Sequence, residues 1–360
     1  MLTMMFVSCH SQGVTSPTLE QKVAQMLMFG FRDTAITAQS EVSQWLRDYQ
    51  IGGVILFEYD MPSKSRPRNI VSKAQVKRLG DSLQAFSPTS LLVAIDEEGG
   101  NVSRLKTRYG FEPTVTPKYL GSLDNEDSTR FYARRIAQNC RKLGINVNFA
   151  PSVDVNVNPD CPIIGKLGRS FSADATVVAR NARWFADEHA RQGVLCAIKH
   201  FPGHGSSVSD THLGIADVTD TWTDSELAPY KSLLQDTLQI AVMSSHIFNR
   251  KIDSVYPATL SQSIMSMLRN DLGYNGIIFS DDMMMNAISK YYGLEESICL
   301  AINAGIDVLV FSNNIDVYNP NIVKDAVDII VRSVKSGKIS EERINQSFKR
   351  IMNCKSRICR

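Results

Sequence analysis

Eight short apolar runs punctuate the chain. They are MLMFG (26–30), GGVILF (52–57), LLVAID (91–96), INVNFAP (145–151), VLCAIKHF (194–201), IAVMSSH (240–246), GIIFSDD (276–282) and IDVLVFS (306–312). Most are nearly continuous in Val, Ile, Leu, Phe and Ala rather than alternating. Strands covered on both faces read this way, because neither face meets water. Helical periodicity falls between them. Tyr132, Ile136, Cys140 and Leu143 repeat at helical spacing over 126–143, and Gly144 follows as a stop. Ser261 stands as an N-cap before Ile264, Leu268 and Leu272, with Gly273 beyond. A last helix starts near Ser340 with Glu341 and Glu342 in its first turn, where acids suit the dipole.

Eight buried strands alternating with helices predict the α/β class and a (β/α)8 TIM-type barrel in a single domain. A doubly wound open sheet is the alternative. No Pro/Gly/Ser-rich linker divides residues 17–360, so they read as one domain, with 58–70 as a polar loop leaving the second strand. Residues 1–16 read differently. MLTMMFVSC is apolar up to a cysteine, Cys9, and resembles the end of a bacterial lipoprotein signal, truncated, followed by a linker. That reading predicts a lipid anchor at Cys9 and a place in the periplasm or cell envelope. A frayed tail on a cytoplasmic protein is the alternative.

Polarity at the strand ends turns the fold into a candidate enzyme. A barrel builds its site at the C-terminal ends of its strands. Here those ends carry Asp96-Glu97-Glu98, Asp154, Lys199-His200, Ser245-His246 and Asp281-Asp282. Five such ends argue for a shared pocket. The loop after the fifth strand, about 201–223, is longer than compact domains usually allow without a function. Three of the six histidines lie in IKHFPGHGSSVSDTH (198–212). Asp210 and His212 can pair if that loop curls, and a carboxylate on one imidazole nitrogen makes the other a better base. A metal site is not expected. His200 and His204 have ligand-like spacing, but Pro202 and Gly203 between them exclude a helix and nothing completes the set.

Composition changes little. The net charge is +2, with 43% hydrophobic and 21% charged residues, so no nucleic-acid partner is implied. No run of about 18 apolar residues occurs, and the seven cysteines form no CxxC.

KHFPGHG (199–205) and DTH (210–212), with AIDEEGG (94–100), GRSF (168–171) and FSDD (279–282), resemble glycoside hydrolase family 3. The likeness is to its single-domain bacterial β-N-acetylglucosaminidase (β-N-acetylhexosaminidase) branch. It implies an exo-acting retaining enzyme that removes terminal β-linked GlcNAc, from peptidoglycan fragments, without cofactor or metal. Asp281 would be the nucleophile, and His212, oriented by Asp210, the acid/base. Asp96, Arg104, Arg169, Lys199, His200 and His246 would lie around the bound sugar, with Asp282 structural. The bonds Lys199–His200 and Phe201–Pro202 would be cis. The family's second α/β domain, which supplies the acid/base in many β-glucosidases, has no counterpart in this sequence, which favours the DTH loop as donor. A monomer is expected. A phosphorylase or β-glucosidase on the same barrel, and a non-catalytic sugar-binding protein, are the competing readings. Glu97 stands where Gln is commoner, and Met283-Met284-Met285 where Leu-Ser-Met is usual, so pocket shape is where departures are expected.

Overall fold

The computed structural model describes residues 16–358 except 212–213 and 236–237. Cys9 and His212 therefore lie outside the described residues. Eight parallel strands close into a barrel. They are β1 Leu27–Gly30, β2 Gly53–Leu56, β3 Leu92–Ile95, β4 Val147–Asn148, β5 Leu195–Phe201, β6 Ile240–Ser244, β7 Ile278–Asp282 and β8 Val308–Phe311. Each falls inside one of the eight apolar runs. Each strand pairs with its sequence neighbours in the barrel, and β1 pairs with β8 through Leu27–Leu309 and Phe29–Phe311. Every barrel strand but β7 is buried along its whole length, and β7 emerges only at its last two residues. This is the burial that continuous apolar runs demand. The cross-strand rings Phe29 and Phe311 stack at 5.5 Å, and Trp45 packs on Phe29.

The helices start and stop where local chemistry directs. Asn125 caps Glu126–Lys142 by accepting from Ser128, and Gly144 follows at φ 77°. Ser261 caps the next expected helix by accepting from the Ile264 amide, but that helix widens into a π-turn over Met267–Asp271. The last helix runs Glu341–Ile358 and buries Ile344 and Ile351.

That last helix seals the end of the barrel where the strands begin. Lys355 is buried there, with its Nζ 2.6 Å from Gln25 Oε1 and 2.8 Å from the Gly52 carbonyl oxygen. Asp307, just before β8, is fully buried and accepts from Arg269, Arg343, Arg350 and Ser347. The opposite end carries the long connections. A parallel two-residue ribbon, Ala216–Asp217 with Ile247–Phe248, ties the connection after β5 to the one after β6.

The polar loop expected at 58–70 is in part a buried one. The Arg68 side chain is fully enclosed, pairs with Asp60, and donates to Asn314 Oδ1 at 2.8 Å. The connection after β2 is thereby fastened to the one after β8.

Candidate active site at the strand ends

A cavity of about 700 Å³ opens over the C-terminal ends of the strands. Met243 of β6 and Val310 of β8 give it apolar wall, while Asp96 just after β3, Lys199 and His200 of β5 and Asp281 of β7 bring polar groups to it. A charge at such a position is tolerated only when another group answers it. Lys199 Nζ bridges Asp96 Oδ1 at 2.7 Å and Glu98 Oε1 at 2.8 Å. Arg104 Nη2 reaches Asp96 Oδ2 at 3.3 Å. Arg169 holds Glu98 with two parallel bonds, of 2.9 and 2.7 Å. Burial alone would raise both carboxyl groups. The cations outweigh it, Lys199 and Arg104 for Asp96, Arg169 and Lys199 for Glu98. Asp96 is held well below the usual range and Glu98 at about 2.

His200 is fixed from both sides. Its Nδ1 is 2.6 Å from Asp154 Oδ2, and its Nε2 is 3.1 Å from Arg169 Nη2. Guanidinium only donates, so Nε2 accepts and the ring proton sits on Nδ1, facing the carboxylate. Asp154 also takes the His200 amide at 3.2 Å, the His204 amide at 2.8 Å and the Ser152 hydroxyl at 2.9 Å. Burial would raise it too, but His200, through its ring and its amide, brings it down to about 2. The peptide bonds Lys199–His200 and Phe201–Pro202 are both cis.

The connection after β5 begins tightly wound. Gly203 sits at φ 124°, a region that favours glycine. A Cβ on Gly205 would lie 1.7 Å from the Val155 carbonyl oxygen, so only glycine fits. His204 is buried and neutral, brought down to about 4 chiefly by burial. Further along, Asp210 and Thr211 reach the cavity wall.

On β7 the two aspartates part. Asp281 faces the cavity, and its Oδ1 accepts from the Asp282 amide at 2.8 Å. Asp282 also lines the cavity, but its carboxylate secures the strand end. Its carboxylate accepts from the amides of Ser312 and Met284, at 2.9 and 3.1 Å, and from the Ser312 hydroxyl. His246 is fully buried, is not part of the cavity lining, and places Nε2 2.9 Å from the Asp282 carbonyl oxygen. It touches the site through the backbone of β7. Of the methionine run, Met283 is in the hydrophobic core and Met285 reaches the cavity wall. Glu97 points away from the cavity. It accepts from Ser103 and from the amides of Arg104 and Leu105, so it shapes the turn that carries Arg104.

The structure thus brings Asp96, Arg104, Arg169, Lys199, His200, Asp210 and Asp281 to one cavity. Two further acids matter that sequence reasoning gave no role. Glu98 stood inside the DEEGG motif and could have been suspected from its place beside Asp96. Glu226 had no signal, because its partners Gly205 and Ser206 lie some twenty residues earlier.

A family model described as the glycosyl hydrolase family 3 N terminal domain matches residues 18–354. Beta-hexosaminidase A of Pseudoalteromonas piscicida is 29% identical over 98% of this chain and 63% of its own. Beta-hexosaminidase LpqI of Mycobacterium tuberculosis is 31% identical over 93% of this chain and 82% of its own. The structure of a glycoside hydrolase family 3 beta-N-acetylglucosaminidase from Paenibacillus sp. FPU-7 superposes with a TM-score of 0.86 and 34% identity, over 96% of this chain and 63% of that one. The chain spans under two thirds of the length of the first and last of these relatives. With its closed barrel and its strand-end acids, the chain belongs to glycoside hydrolase family 3.

Proposed function

We propose that the protein is an exo-acting retaining β-N-acetylglucosaminidase, cleaving terminal β-linked GlcNAc from cell-wall fragments. The observation that carries this reading is the position of Asp281. It stands at the end of a barrel strand, on the same cavity as Asp96, whose carboxylate Lys199 and Arg104 hold. A retaining glycosidase needs one carboxylate at the anomeric carbon and a proton donor at the leaving oxygen. Asp281 would attack and form a glycosyl ester. His212, oriented by Asp210, would protonate the leaving oxygen, then take a proton from the incoming water.

Asp96 fits the part of a sugar-hydroxyl acceptor, since its carboxylate is held charged and stays 16% exposed to the cavity. The relatives named beta-hexosaminidase support the substrate class. The experiment is a panel of chromogenic β-GlcNAc, β-glucoside and β-xyloside, with the anomer of the first-formed product followed by NMR. Cleavage of β-GlcNAc with β-GlcNAc released first is expected. Preference for glucoside, or an α product, removes the reading. A rate that requires phosphate and yields sugar-1-phosphate would replace hydrolysis by phosphorolysis.

A further inference from the structure

The connection after β5 carries Asp210 to the cavity wall, and its two ends are tied to one another. Trp222 Nε1, near its end, donates to the Pro202 carbonyl oxygen at 3.2 Å. Glu226, in the short 3-10 turn Asp224–Leu227 that follows, reaches back into its start. Glu226 Oε2 accepts from the Gly205 amide at 2.9 Å and the Ser206 amide at 3.3 Å. The residue is fully buried, against Gly203, where an added Cβ would lie 2.6 Å from Glu226 Cβ. Among the described residues its carboxylate has no cationic partner, and a buried carboxylate without one is costly unless it does something in return. Here it gathers two backbone amides that no strand or helix uses.

We propose that Glu226 is a positioning residue for proton transfer, closing the base of the 202–223 connection so that the Asp210–His212 segment is presented to the leaving group. It touches no reacting atom. It rests on the reading of that segment as the acid/base. Three amides of the turn are held by two acids from outside it, His204 by Asp154 and Gly205 and Ser206 by Glu226. The arm therefore departs from a fixed root. Burial lifts the Glu226 carboxyl to about 7, despite the bonds from the two amides. Neutral or charged, its Oε2 keeps a lone pair for them, which makes glutamine the conservative replacement.

Leaving-group dependence tests this. Chitobiose needs a proton at its leaving oxygen, whereas 2,4-dinitrophenyl β-GlcNAc does not. Glu226→Ala should lower kcat/KM on chitobiose by about 100-fold, the scale of a misplaced general acid, while the aryl substrate changes by less than about threefold. Glu226→Gln should recover about tenfold of the loss. Glu226→Asp, whose carboxylate is one carbon short, should fall between them and serves if the alanine variant does not fold. Equal losses on both substrates, no loss in Glu226→Ala, or a Gln variant no better than Ala would overturn the inference. His212→Ala separates the two readings. If it shows the same split and the Glu226 variants do not, the positioning role alone fails. If it cleaves chitobiose like the parent, the dyad reading fails and the inference falls with it.

Discussion

Arg169 and Glu98 meet through two parallel hydrogen bonds inside the barrel mouth, with the Glu98 side chain fully buried. Neither reacts in the proposed mechanism, yet the pair sets the charge of the site. Glu98 also holds Lys199, which in turn holds Asp96. Removing one partner of a buried pair leaves the other uncompensated, which costs about 3–5 kcal/mol. Glu98→Ala should therefore lower stability by that order in urea denaturation. It should also raise KM for β-GlcNAc substrates more than it lowers kcat, since Arg169 and Lys199 lose their anchor. An unchanged urea midpoint would show that the pair is not a determinant.

The two aspartates of β7 should separate in kinetics. Asp281→Asn removes the proposed nucleophile and should cut turnover on β-GlcNAc by about 1,000-fold or more, with the melting temperature nearly unchanged. Asp282→Asn weakens the bonds to Ser312 and Met284. It should lower the melting temperature and reduce kcat by about tenfold, through the position of its neighbour. Equal kinetic losses in the two variants would deny them distinct roles.

Stability should fall with mild acid because two buried histidines are held neutral. His189 is fully buried, stacks on Phe185 at 4.4 Å, and places Nδ1 2.9 Å from the Phe185 carbonyl oxygen. Burial brings it down to about 4, as it does His204. The unfolded chain titrates near 6.5, so between about 6.5 and 4 the unfolded state holds more protons. The stabilisation is present above 6.5 and is lost as pH falls toward 4, on the order of 3 kcal/mol for each histidine. Urea midpoints measured across that window should drop, and His189→Gln should flatten the slope. A parallel slope in the variant would assign the acid sensitivity elsewhere.

Asp307 offers a test of stability apart from chemistry. It lies at the sealed end of the barrel and answers three arginines. Asp307→Ala should destabilise by about 3–5 kcal/mol while kcat of the folded protein on β-GlcNAc stays within about twofold. A large fall in kcat at a temperature where the variant is folded would couple the two ends.

The barrel was legible because burial on both faces writes itself as unbroken apolar runs, and each run held one strand. Lys199 and His200 were legible as polar groups at the end of such a run, where only a pocket could receive them. Glu226 was not, since its carboxylate meets amides that sequence spacing does not bring near. His246 shows the limit in another direction. Its position at the end of β6 placed it with the pocket residues, but nothing in the sequence reveals which way a ring turns, and it turns to the backbone of β7. Arg68 was not legible for a similar reason. A polar stretch reads as exposed, whereas Asp60 and Asn314, some 250 residues apart, enclose it.

The pairing of β1 with β8 has a temporal consequence. Leu27 and Leu309 stand opposite each other in that pairing, roughly 280 residues apart. At about 5–20 residues per second, β1 waits roughly 15–55 s during synthesis for its partner. Until then the nascent sheet has two open edges, able to pair with other chains. The last strand to emerge thus completes the pocket wall and ends the period in which the chain is most exposed to aggregation.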